Sequence, residues 1–141
     1  MPTPLRALLI EDSEDDARLI AHALKSGGYD VEWERADTSA AMQAALDRHE
    51  WDVVLVDYRM PHFSGPAALQ LLKATRKDIP LILVSGKIGE EIAVDAMRAG
   101  ASDFVMKDRL ARLAPAVERE LRDVRVRRER HGMEERLRLE Q

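Results

Sequence analysis

Glu11, Asp12, Asp57, Ser85 and Lys107 each follow a short apolar run, and each carries a side chain suited to phosphate chemistry. Leu8-Leu9-Ile10 leads into Glu11-Asp12, Val53-Val54-Leu55-Val56 into Asp57, Leu81-Ile82-Leu83-Val84 into Ser85, and Phe104-Val105-Met106 into Lys107. If these runs are parallel strands, their carboxyl ends meet at one edge, where open α/β sheets bind ligands. Bare carboxylates about 4 Å apart repel by roughly 4 kcal/mol at an effective dielectric near 20. Such a group must bind a cation, take up a proton or splay apart. A hard divalent ion held by a few carboxylates, water and phosphate oxygens is the usual setting of magnesium. No histidine stands at a strand end, which argues against zinc. An aspartate such as Asp57 can accept a phosphoryl group as an acyl phosphate. That transfer needs positioning and charge neutralisation, which magnesium, the Lys107 ammonium and the Ser85 hydroxyl would supply. A phosphoryl group beside Ser85 and Lys107 adds charge and acceptor oxygens. Drawing Ser85 inward would vacate space for Phe104, a two-state switch.

The intervening sequence supplies the elements that would hold these residues. Residues 5–10 read as a buried strand. Ser13 is placed to cap a helix with Glu14, Asp15 and Asp16 in its first turn, where the helix dipole favours negative charge. Those three acids are read as a helix start rather than as ligands. Leu19, Ile20, Ala23 and Leu24 form the expected inner stripe, which Gly27-Gly28 ends. Tyr29, Val31 and Trp33 alternate with charged residues as in a half-buried strand. Residues 38–48 form an alanine-rich helix with Ala41, Met42, Ala45 and Leu46 inward, followed by a strand at 52–56. Ser64 caps a helix with Pro66 in its first turn and Leu69 and Leu72 inward. A strand at 81–84 precedes a helix at 90–99, with Ile92, Ala93, Ala96 and Met97 inward and Gly100 closing it. Residues 103–106 are the fifth strand, and Pro115 opens a last helix with Val117, Leu121 and Val124 on one face.

Five strands alternating with five helices imply parallel crossovers with helices on both sheet faces. The wholly apolar runs at 53–56 and 81–84 suit central strands. The predicted fold is therefore α/β, a flavodoxin-like (βα)5 doubly wound parallel five-stranded sheet in the order 2-1-3-4-5, with an extended C-terminal helix. The domain is expected over residues 5–126 and a helical extension or linker over 127–141. That extension carries sparse apolar positions at Met133, Leu137 and Leu139. It reads either as a solvated tail or as a signalling helix that dimerises weakly or continues into a further domain.

At 141 residues the chain fits one domain with room for a sizeable core. A net charge of −4 gives no global reason to bind nucleic acid or an anionic membrane. With no cysteine, disulfides, thiolate metal sites and a cysteine nucleophile are excluded. The first apolar run is too short for a signal or a membrane span, and a cytoplasmic location is expected.

Taken in order, the residues resemble the response-regulator receiver domains of bacterial two-component signalling. The resemblance rests on Glu11-Asp12, Asp57 with Met60-Pro61 and Gly65, Ser85-Gly86, Gly100-Ala101, and Phe104 three residues before Lys107. It implies phosphorylation of Asp57 by a histidine kinase or phosphotransfer protein. It also implies Mg2+ held by Asp12, Asp57 and the backbone carbonyl of Arg59, with Glu11 acting through water. Ser85 and Phe104 correspond to the switch pair, and Lys107 to the phosphate-binding lysine. Arg59 and Lys87 fall where this family modulates phosphate lifetime. Asp108 stands where receivers usually carry proline. A cis bond before a non-proline residue costs about 2.5–4 kcal/mol, so a trans bond and a rearranged loop are expected there. The runs 84–91 and 107–110 resemble receivers that precede sensor or kinase modules, so the expected partners include a downstream output module. A homodimer through the C-terminal helix is a further expectation.

Two other functions compete. One is a receiver fold that acts through protein contacts without phosphorylation, against which the intact Glu11, Asp12, Asp57, Ser85 and Lys107 argue. The other is a magnesium-dependent phosphohydrolase with Asp57 as nucleophile. Arg59, not a second aspartate, stands two residues after Asp57, and no cap insertion forms a substrate pocket. Chemistry limited to the domain's own phosphorylation and dephosphorylation is therefore expected, rather than turnover as an enzyme.

Overall fold

The computed structural model describes residues 2–58, 60–86 and 89–140. Five strands, β1 (Thr3–Ile10), β2 (Tyr29–Ala36), β3 (Val53–Val56), β4 (Leu81–Ser85) and β5 (Asp103–Met106), form one sheet in the order 2-1-3-4-5. Every pairing is parallel. The helices are α1 (Glu14–Ser26), α2 (Ser39–Arg48), α3 (Gly65–Ala74), α4 (Glu90–Ala99) and α5 (Leu113–Leu139). Strand order, alternation and the long last helix agree with the sequence expectation.

Alternation along the strands divides the core in two. Leu8, Ile10, Val54, Val56, Leu81 and Leu83 face one side with residues of α2 and α3. Leu5, Ala7, Leu9, Val53, Leu55, Ile82, Val84 and Val105 face the other, with α1 and the start of α5. β3 and β4 are buried at every position, which requires helices on both faces.

Two helices differ from the expected inner faces. In α1 the buried residues are Ala17, Ile20, Ala21 and Leu24, a run at i, i+3, i+4 and i+7. Leu19 lies off that stripe and is 55% exposed. In α4 only Ala96 is buried, Ile92 and Ala93 are half-buried, and Met97 is 42% exposed. A cavity of about 190 Å³ between α3 and α4, lined by Leu69, Leu83, Ala96 and Ala99 among others, lies beside this thin contact. Small alanine side chains explain both the shallow burial and the gap, and α4 is the least anchored of the helices.

The caps follow the sequence. Ser13, Thr38 and Ser64 each accept the backbone N–H of the third residue of the helix they cap, at 3.1–3.2 Å. Gly100 closes α4 at φ 116°, a conformation that favours glycine. Gly27 has a different constraint: a Cβ there would lie 2.2 Å from Ala114 Cβ, where α1 meets α5. Gly27→Ala is therefore expected to cost about 1–3 kcal/mol through overpacking. The readout is the midpoint of urea unfolding, and an unchanged midpoint would mean that α5 yields freely.

No cis peptide occurs among the described residues, in line with the trans Lys107-Asp108 bond expected. A 3-10 segment (Lys107–Arg112) carries the chain directly from β5 into α5. The last buried residue of α5 is Val124. Arg127 pairs with Asp78 at 3.0 Å, and the helix continues to Leu139. Among the described residues, no helix is long and apolar enough to cross a membrane.

Candidate functional site

Backbone hydrogen bonds place the acids at the sheet edge. The Glu11 N–H donates to Ala36 O at 3.0 Å and the Asp57 N–H to Ile10 O at 2.9 Å. Both residues thus extend the ladder just beyond the last strand pairs, which fixes the backbone from which their side chains project. Arg35 donates from Nη1 to the Glu11 carbonyl at 3.2 Å, tying down the turn into α1. Ser85, the last residue of β4, donates its hydroxyl to Asp57 Oδ1 at 3.0 Å. Lys107 reaches back from the end of β5 to Asp57 Oδ2 at 3.3 Å.

One ammonium serves several carboxylates. Lys107 Nζ is 2.8 Å from Glu11 Oε2 and 2.7 Å from Asp16 Oδ2. Glu11 Oε1 accepts the Ser13 N–H at 3.1 Å. Its other oxygen, Oε2, is buried and has the ion-pair contact with Lys107 but no hydrogen bond of good alignment. Glu11, Asp57 and Ser85 are buried, whereas Asp12 is exposed. One carboxylate oxygen each from Glu11, Asp12 and Asp57 lies within 4.8 Å of the others.

The electrostatics follow from this crowding. Burial pushes the Glu11 carboxyl up to about 7, and the charge of Asp57 adds to it; Lys107 and the Ser13 N–H only partly offset the shift. For Lys107, burial lowers the affinity for a proton, but contacts with Asp16 and Glu11 and the charge of Asp57 outweigh it. The ammonium is held above its ordinary range and stays charged. A compact, all-oxygen donor set with a poorly satisfied buried carboxylate oxygen fits a hard divalent cation.

The structure therefore gathers Glu11, Asp12, Asp57, Ser85 and Lys107 as their spacing implied. Phe104 is half-buried beside Leu83, two positions back from Ser85, and packs against the α2–α3 side of the core. The expectations placed on Arg59 and Lys87 lie outside the described residues. Asp16, a helix-start residue by its sequence position, is in direct contact with Lys107. Its position in the first turn of α1, at the same sheet edge, is the signal that could have found it. His22 approaches Ser26 and His49 packs edge-on against Trp51, so neither serves this site.

Known proteins share this architecture. The family model for the response regulator receiver domain matches residues 7–118. The regulatory protein AtoC of Escherichia coli is 32% identical over 102 residues, which are 72% of this chain and 22% of AtoC. The transcriptional regulatory protein RprY of Bacteroides fragilis is 31% identical over 107 residues, covering 76% of this chain and 44% of RprY. The chain thus spans less than half the length of these relatives. Among solved structures, NtrX from Brucella abortus superimposes with a TM-score of 0.77 at 28% identity, covering 94% of this chain and 30% of NtrX. The receiver domain of a signal transduction histidine kinase from Syntrophus aciditrophicus gives 0.70 at 29% identity, covering 85% and 92%. With the acidic edge, the strand order and the family match in agreement, the chain belongs to the response regulator receiver domains, the phosphorylation-controlled switches of two-component signalling.

Proposed function

We propose that Asp57 is the phosphoacceptor and that the domain takes its phosphoryl group from a histidine kinase or phosphotransfer protein. The observation that carries this reading is the pair of contacts on the Asp57 carboxylate, the Ser85 hydroxyl on Oδ1 and the Lys107 ammonium near Oδ2. A carboxylate oxygen of Asp57 attacks phosphorus as the P–N bond of the phosphohistidine breaks, leaving an acyl phosphate on the domain and a neutral imidazole on the donor once a proton is taken up. Asp57 is oriented for this by its backbone bond to β1. Lys107 and Ser85 then offer donors to the new phosphoryl oxygens.

Asp12 and Asp57, with Glu11 behind them, would hold Mg2+. When bound, the ion neutralises charge on the transferring phosphoryl group. Withdrawal of Ser85 towards the phosphoryl group would free Phe104 to turn inward along β5. The thinly anchored α4 would then shift, because little apolar contact opposes its movement. Output passes through protein contacts to a downstream sensor, kinase or other module. The exposed Val126, Met133 and Leu137 of α5 offer a seam for a homodimer or a following domain. Chemistry is confined to the domain's own phosphorylation and dephosphorylation.

Incubation with Mg2+ and a small-molecule phosphodonor tests the reading by intact mass. One phosphoryl group should be gained, and only when the metal is present. A protein that gains nothing would return the assignment to a phosphorylation-independent interaction module.

A further inference from the structure

We propose that Asp16 is a positioning residue that competes with Asp57 for the Lys107 ammonium in the resting domain. The inference rests on the reading of Asp57 as phosphoacceptor. Lys107 Nζ lies closer to Asp16 Oδ2, at 2.7 Å, than to Asp57 Oδ2, at 3.3 Å. Asp16 is not one of the three acids grouped as a metal site. A cation bound by Glu11, Asp12 and Asp57 would therefore occupy the other carboxylates and leave Asp16 as the partner retained by Lys107.

The local backbone frees Asp16 for this task. Ser13 caps α1 by accepting the Asp16 N–H at 3.2 Å, which fixes Asp16 in the first turn. An acid at that position commonly reaches back to the N–H of the capping residue. Here that N–H is taken by Glu11 Oε1, so the Asp16 carboxylate is turned to Lys107 instead. The Asp16 side chain is 38% exposed, and an ion pair of that kind adds little to stability. Its consequence lies in competition: Asp16 holds the ammonium more closely than Asp57 does, so a phosphoryl group on Asp57 shares Lys107 with a competing charge.

The test is calorimetric titration of the full chain with beryllofluoride, a phosphoryl mimic, at saturating Mg2+. Asp16→Asn keeps the side-chain shape and removes the competing charge. It should bind the mimic about two- to fivefold more tightly, the range set by a partly exposed ion pair. Asp16→Glu should return the affinity towards that of the unaltered protein. Equal or weaker binding by Asp16→Asn would overturn the inference while leaving the phosphoacceptor reading intact. So would a change in the urea midpoint without a change in affinity, the mark of a merely structural role. Failure of the unaltered protein to bind the mimic would overturn the phosphoacceptor reading, and this inference with it.

Discussion

Asp57→Asn is expected to abolish the magnesium-dependent gain of a phosphoryl group and, at the same time, to stabilise the metal-free domain at neutral pH. The first effect is chemical, since a carboxamide oxygen is a poor nucleophile and cannot yield the same acyl phosphate. The second comes from charge crowding. Asp57 raises the Glu11 carboxyl through like-charge repulsion, on top of the larger effect of burial. Bare repulsion at about 4 Å would reach roughly 4 kcal/mol at an effective dielectric of 20. Lys107 already offsets most of it from 2.8 Å on Glu11, so the net gain should be about 1 kcal/mol. Ser85 can still donate to the amide oxygen, and Lys107 keeps Glu11 and Asp16, so neither of these two donors loses all its partners. Intact mass reads the first effect and urea unfolding at neutral pH the second. Phosphoryl uptake by the variant at the native rate would dismiss Asp57 as the acceptor. A loss of stability would mean that the Asp57 carboxylate is a net structural asset in the metal-free site.

The parts of this molecule that were legible beforehand were those fixed by local pattern. Wholly apolar runs such as Val53–Val56 have one reading in an alternating chain, a central strand covered on both faces. Once strand direction and order follow, the strand-end residues Glu11, Asp57, Ser85 and Lys107 must converge. The features that were not legible depend on side-chain direction. Leu19 is more apolar than Ala17 or Ala21, yet packing of α1 against the sheet and α5 selects the two alanines. In α4 the alanines of the expected stripe cannot fill the gap beside Leu83 and Leu69, and Met97 is left exposed. Asp16 was hidden for a related reason. An acid in the first turn of a helix already has a sufficient explanation in the helix dipole. Its second partner, Lys107, lies 91 residues along the chain and is brought near only by the sheet.

The affinity of the site for Mg2+ is expected to fall as pH drops below about 7, by at most about tenfold per unit, and to level off above it, because Glu11 must lose its proton to contribute charge. Its carboxyl is raised from 4.5 to about 7, first by burial and then by Asp57. For the metal-free domain the sign is the reverse. Between pH 4.5 and about 7 the folded chain holds a proton on Glu11 that the unfolded chain has released. Folding stability should therefore decline as pH rises through that window and flatten beyond it. Lys107 adds no slope, since its ammonium is held above the ordinary lysine range and stays protonated throughout. Bound metal should remove the decline by favouring the ionised carboxylate. Titrations with Mg2+ from about pH 5.5 to about pH 8, paired with urea unfolding in its absence, read both curves across the shifted Glu11 value. Glu11→Gln should bind the ion more weakly and flatten the pH dependence of both measurements through this window. An affinity in the native chain that stays constant across pH 7 would show that Glu11 contributes no charge to the site, and would leave Asp12 and Asp57 as its only acidic components.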